Sequence, residues 1–149
     1  MTLRERLNDD LKAAMRAKDG TQLSVIRAVK AGILSQETRN ERITLDDDGI
    51  MQVIVKEIKE RREANEEFQR AGRRDLVEQN EKEMEVLSTY LPAPLPEDEI
   101  VGLVMGAIRE TGAQGPKDMG KVMAIINPVI RGRADGRHVA ELVKAQLHS

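Results

Sequence analysis

Between Leu91 and Pro96 the chain reads Leu-Pro-Ala-Pro-Leu-Pro, with three prolines in five residues. Proline lacks the amide that an inner helical turn requires, and it pushes the residue before it into extended backbone. No helix passes this point. Whatever residues 1–91 build must close before residues 92–149 begin, so we expect an N-terminal helical bundle over 1–91 and a small C-terminal module over 92–149.

Helices are expected on both sides of the prolines. Ala, Leu, Glu, Lys, Arg, Met and Gln dominate, and the only aromatic residues are Phe68 and Tyr90. Sandwiches and barrels draw on aromatic and β-branched side chains, so this composition argues for an all-α fold with an aliphatic core. Charged residues make up 34% and hydrophobic residues 40%, too apolar for a disordered chain. No apolar run approaches a membrane span, the first residues lack a signal-like hydrophobic stretch, and cysteine is absent. A cytoplasmic, non-membrane protein is the expectation.

Thr2-Leu3-Arg4-Glu5 has the form of a capping box, followed by Leu3, Leu7, Leu11, Ala14 and Met15 at helical spacing, with Asp19-Gly20 as the stop. A second helix is predicted from about Thr21 to Asn40, with Leu23, Ile26, Val29, Ile33 and Leu34 near one face. Asp46-Asp47-Asp48-Gly49 precedes a third, whose stripe is Ile50, Val53, Ile54 and Ile58. From Lys59 to Gln69 the residues are mostly charged, and Glu57/Arg61, Arg62/Glu66 and Glu66/Arg70 fall at i,i+4 spacing. This stretch reads as a solvated helical arm. Ala71-Gly72 breaks it, and a fourth helix carrying Leu76, Val77, Met84, Leu87 and Leu91 returns antiparallel along the third. Thus about four helices fill the N-terminal bundle.

Beyond the prolines, Pro96-Glu97-Asp98-Glu99 starts a fifth helix, with Ile100, Leu103, Val104, Ala107 and Ile108 inward and Thr111-Gly112 at its end. A sixth begins near Pro116 with Met119, Val122, Met123 and Ile126 inward. Pro128 is expected to kink or end it, and Gly132 to stop it. Asp135 caps a seventh carrying Val139, Leu142, Val143 and Leu147. The C-terminal module is therefore three short helices joined by glycine turns.

Several chemistries can be weighed against these elements. Gly115-Pro116-Lys117-Asp118-Met119-Gly120-Lys121-Val122 matches the first seven positions of a phosphate-binding loop. Val122 then stands where magnesium needs a hydroxyl, Pro116 removes an amide, and a helix rather than a strand comes before it. The aspartate run lacks the alternating ligands and late glutamate of a calcium loop. His138, Asp135 and Glu141 could share part of a helix face, but no second histidine joins them, and His148 is terminal. No Gly-x-Ser-x-Gly turn is present. We assign no catalytic, metal or cofactor residue.

The basic residues leave a different possibility. Residues 1–91 hold 17 Lys/Arg against 19 Asp/Glu, and residues 92–149 hold 7 of each, which gives the overall −2. Within 112–149, Lys117, Lys121, Arg131, Arg133, Arg137 and Lys144 face Asp118, Asp135 and Glu141, a local +3. Lys117 and Lys121 are i,i+4, the arginines bracket Gly132 and Gly136, and helix N-termini near Asp118 and Asp135 offer amides to phosphate. With no aromatic residue there to stack on bases, recognition would be of shape and phosphate in folded RNA.

Order and spacing over nearly the full chain resemble the GatB/YqeY family. The residues concerned are Leu11-Lys12-Ala13-Ala14-Met15 with Asp19, Arg27-Ala28, Ile54 to Arg62 leading to Phe68, and Ala71-Gly72-Arg73-Arg74-Asp75-Leu76. Tyr90-Leu91-Pro92, Gly115 to Met123, Gly132-Arg133-Ala134-Asp135-Gly136 and Val143-Lys144 complete the pattern. Val129 departs from it, standing where the pattern leads us to expect a basic residue. The resemblance implies a helical bundle followed by a three-helix module, similar to the tail of the B subunit of the tRNA-dependent amidotransferase, where that tail contacts the tRNA body. It implies a non-catalytic accessory protein that binds tRNA or structured RNA through Lys117, Lys121, Arg131, Arg133 and Arg137, with a monomer favoured. The alternatives are a protein–protein adaptor using the charged 57–74 arm, and participation in glutamine-dependent amidotransferase chemistry, for which no active site is visible in these residues.

Overall fold

The computed structural model describes residues 1–39 and 43–148. Among them the regular elements are all helical: α1 (Leu3–Ala17), α2 (Gly20–Thr38), α3 (Asp47–Arg70), α4 (Arg74–Ser88), α5 (Glu97–Thr111), a 3-10 turn (Pro116–Asp118), α6 (Met119–Ile130) and α7 (Gly136–His148). The fold class is all-α. The helices gather into two compact units, one ending at Leu91 and the other starting at Pro92.

Local chemistry sets most helix ends. The Thr2 hydroxyl accepts the Glu5 amide at 3.1 Å, and the Thr2 amide donates to the Glu5 carboxylate at 3.3 Å, closing the capping box that starts α1. Asp19 helps to stop this helix, its amide donating to the Ala14 carbonyl at 3.0 Å, while Gly20 is already the first residue of α2. Lys18 ends it in the left-handed region at φ 54°, because Asp19 is already committed to α2, where its carboxylate accepts the Gln22 amide at 3.1 Å. Asp46 likewise takes the Gly49 amide at 2.9 Å to start α3, and Asp47 accepts the Leu3 amide at 3.1 Å. Two of the three aspartates in the run are thus spent on backbone donors. On α2, Thr38 is the last helical residue; Asn40, the expected end, lies outside the described residues.

Buried in the N-terminal unit are Leu7 of α1, Val25, Ile26, Val29 and Ile33 of α2, Ile50, Val53 and Ile54 of α3, Leu87 of α4, and Tyr90. α2 packs against the other three helices. Gly32 permits this: a Cβ there would come within 2.8 Å of the Val53 side chain. Alanine would gain about 1 kcal/mol of helix propensity but lose about 1–3 kcal/mol to overpacking against a stiff β-branched neighbour. Two apolar residues expected on inner faces are outside. Met15 is 54% and Leu34 62% exposed.

The charged stretch after Ile58 is not a lone projecting arm. α3 continues unbroken to Arg70, Gly72 supplies the turn at φ +69°, and α4 folds back along it. Arg61 is clamped between them, 2.6 Å from Glu57 and 3.3 Å from Glu83, with its side chain only 14% exposed. Asn80 donates to the Arg61 carbonyl at 3.4 Å. Of the expected helical pairs, Glu57/Arg61 forms, whereas Arg70 pairs with Glu67. At the end of the unit, the Tyr90 hydroxyl donates to Asp10 while the Arg6 guanidinium lies 4.4 Å from the ring centre and donates to the Thr89 carbonyl at 3.0 Å. Burial, then the Asp10 carboxylate, pushes the Tyr90 phenol well above its ordinary value, so this hydroxyl stays a donor.

In the C-terminal unit, α5, α6 and α7 bury Ile100, Val104 and Ala107, Val122, Ile126 and Ile130, and Val139, Val143 and Leu147 around Leu95. Pro128 does not end α6, which continues to Ile130. Ala124, whose carbonyl loses the proline's amide, and Pro128 are both exposed, so water can serve that oxygen.

Arg61 and Arg70 distinguish a buried clamp from a surface pair. Arg61→Ala should lower unfolding stability by about 2 kcal/mol, since it strands two half-buried carboxylates. Arg70→Ala should change it by less than about 0.5 kcal/mol. Urea unfolding followed by circular dichroism measures both, and equal effects would refute the distinction.

Candidate nucleic-acid interface

The five basic residues of the C-terminal unit are distributed between the two ends of α6. Lys117 sits on the 3-10 turn and Lys121 on the first turn of α6, both exposed. Arg131 follows the last turn of α6, Arg133 lies in the loop beyond, and Arg137 is the second residue of α7. Ten residues separate Lys121 from Arg131, about 15 Å of helical rise. One phosphate group cannot touch both sets. A long polyanion can.

At the lysine end, the loop before α6 is held by its own acid. The Asp118 carboxylate accepts the Gln114 amide at 3.0 Å and lies 3.9 Å from the Lys121 ammonium. The Gln114 hydrogen bond is the largest influence holding Asp118 below the usual aspartate range, with Lys121 and Lys117 adding to it. A carboxylate therefore stands where a phosphate-binding loop would receive its ligand, and α5 rather than a strand precedes it. That disposes of the nucleotide-loop resemblance on geometry as well as on motif.

The arginine end is built by a tight reversal. Gly132 takes φ +75°, and the amides of Arg133 and Ala134 both return to the Ile130 carbonyl, at 2.7 and 3.0 Å. Arg133 then anchors the proline-rich segment: its carbonyl accepts the Leu95 amide at 2.8 Å, and its Nε donates to the Ala93 carbonyl at 3.1 Å. Part of this side chain is engaged in holding the fold. Arg131 and Arg137 are exposed. The amide at the start of α7 is not free for phosphate, because Asp135 accepts the Arg137 amide at 3.0 Å.

An acidic neighbour also enters that sequence windows missed. Both carboxylate oxygens of Glu97 lie 2.9 Å from His138 Nε2, which brings the first turn of α5, with Glu97, Asp98 and Glu99, beside the start of α7. The local +3 counted over 112–149 is offset there. His138 pairs across helices, to a residue 41 positions away, rather than along its own helix face. Only the return of α7 onto α5 could reveal this. Val129 is 45% exposed on the same helix as Lys121.

These features define an all-helical protein of two small units whose described residues include no helix long and apolar enough to cross a membrane. The chain belongs to the Yqey-like protein family, which matches it over residues 4–147. It is 36% identical over 143 residues to "Altered inheritance of mitochondria protein 41, mitochondrial" of Pyrenophora tritici-repentis, covering 93% of this chain and 77% of the relative. The proteins of the same name from Lachancea thermotolerans and Eremothecium gossypii are 38% and 36% identical over 85 and 87 residues, 57% and 58% of this chain. Those matches span about half of each of these two relatives, 46% and 48%.

Two measurements check the geometry. Because folding depresses the Asp118 pKa, its stabilisation of the 114–118 loop is present above the usual aspartate value of 3.8 and is lost as pH falls below it. The protection of the Gln114 amide from exchange, taken relative to the intrinsic rate at each pH, should fall through that range more than protection in α6; unchanged protection would refute the contact. Separately, Arg133→Ala should cost about 1 kcal/mol of stability, whereas Arg131→Ala should be near neutral, as read by thermal unfolding.

Proposed function

We propose that this protein is a non-catalytic accessory factor whose C-terminal unit binds tRNA or a similarly structured RNA through its phosphate backbone. The observation that carries the reading is the placement of exposed Lys117 and Lys121 at one end of α6 and of Arg131 and Arg137 at the other. Four cations spread over about 15 Å suit successive phosphates better than a single anion. Arg133 contributes by holding the arginine loop in place and offers its remaining donors to phosphate. The resemblance to the tail of the tRNA-dependent amidotransferase supports the same ligand. Glutamine-dependent amide transfer belongs to the larger catalytic relatives, and the purified chain is expected to show none. The relatives' names are mitochondrial, and mitochondria, like the cytoplasm, contain tRNA.

A tRNA titration at several salt concentrations tests this. Affinity should fall as salt rises, and the Arg131→Ala/Arg137→Ala variant should reduce the slope of log affinity against log salt by about two. Lys117→Ala/Lys121→Ala should do the same. Binding that ignores salt, or that both variants leave intact, would remove the C-terminal unit as the interface.

A further inference from the structure

Met15 and Leu34 are large apolar side chains left in solvent, and they share one face of the α1–α2 pair. Along α1, Arg4, Asn8 and Lys12 are i,i+4 neighbours, and Met15 falls on the same stripe at 3.6 residues per turn. Along α2, Arg27, Lys30, Leu34 and Glu37 form the facing stripe. Two side-chain bonds fix the antiparallel register: Arg4 to Glu37 at 2.5 Å, and Lys30 to Asn8. Leu34 therefore lies level with the Arg4–Asn8 turn, and Met15 lies two to three turns further, roughly 10–16 Å away.

Between the helices is a hollow of about 370 Å³, lined by Arg4, Leu7, Asn8, Lys30, Ala31 and Leu34 among others. Its charges are uneven. Arg4 is neutralised by Glu37, whose carboxylate the Leu45 amide also holds at 2.8 Å. Towards the α1–α2 turn, Lys12, Arg16 and Arg27 are exposed without a side-chain partner among the described residues. From residue 12 to residue 34 the one acid is Asp19, and it is occupied as the α2 cap. The α1–α2 groove thus has one apolar seat at Leu34, beside the hollow, a second at Met15 beyond it, and exposed Lys12, Arg16 and Arg27 towards the turn, against Asp9 on the same stretch of α1.

We propose that this groove receives an acidic amphipathic helix from a protein partner. Its apolar side chains, two to three turns apart, would rest on Leu34 and Met15, and its carboxylates would meet Lys12, Arg16 and Arg27. A phosphate backbone would use the cations but gain nothing from the two apolar side chains, and a flat lipid surface would not fill a hollow. This proposal is independent of the RNA reading, which concerns the other unit.

The probe is a fluorescein-labelled helical peptide of about four turns, with leucines on one stripe and glutamates flanking them, beside a scrambled peptide of the same composition. Fluorescence anisotropy with the full chain should show binding of the patterned peptide and not of the scrambled one. Met15→Glu/Leu34→Glu and Lys12→Glu/Arg27→Glu should each weaken it about tenfold or more. All four positions are exposed, and an unchanged circular dichroism spectrum and unfolding midpoint confirm that each variant is folded. No peptide binding, equal binding of both peptides, or indifference to Met15→Glu/Leu34→Glu would each overturn the proposal. So would tRNA binding that is lost in the Lys12/Arg27 variant, kept in the Met15/Leu34 variant and unaccompanied by peptide binding, which would assign the surface to phosphate.

Discussion

The packing of α2 is the constraint on which the N-terminal unit depends. Val25, Ile26, Val29 and Ile33 are buried along this one helix, and α1, α3 and α4 each pack on it. Each such side chain removed from water contributes about 1.5–3 kcal/mol, and β-branched residues lose little rotamer freedom on burial. With a single tyrosine in the core, fit between aliphatic surfaces replaces the bulk that aromatic residues usually supply. Gly32 belongs to the same constraint, because any larger residue there would press on Val53. The C-terminal unit repeats the solution with α5, α6 and α7.

Charge then does what the core does not. Asp19 and Asp46 start helices, Asp118 closes a loop, and Glu57, Arg61 and Glu83 fasten α3 to α4. These acids are therefore engaged by backbone amides or by Arg61, which explains why carboxylate pairs in the sequence are poor guides to a site. The cations that remain exposed stand out against this use. Among them, Lys117, Lys121, Arg131 and Arg137 stand at the ends of α6, and Lys12, Arg16 and Arg27 stand on the α1–α2 pair.

How much was legible follows the same division. The capping box at Thr2, the return of α4 along α3, the glycine turns at Gly72, Gly112 and Gly132, and the inward residues of α5 and α7 were all readable, since each depends on neighbours within a turn or two. Met15 and Leu34 were misplaced because periodicity locates a stripe but not how far the neighbouring helix covers it. Pro128, expected to kink or end α6, does not end it: the helix runs two residues further to Ile130, with the lost bond facing solvent. The five basic residues are exposed or half-exposed. Their separation, the tie from Arg133 to Ala93, and the pairing of Glu97 with His138 were invisible, since each involves residues about forty positions apart or an intervening helix.

By itself the sequence determined the helices, their caps and the break at the prolines, because these follow from backbone donors, local propensity and the fixed geometry of proline. It also contained the full set of cations. Only the tertiary structure decided which of those cations are engaged and which are free. Pairing Arg4 with Glu37, Arg61 with Glu83 and Glu97 with His138 requires helices to be brought together by burial, and nothing in a local window encodes that distance. The exposed Met15 and Leu34 have the same origin: the core claimed their neighbours and left them on the surface.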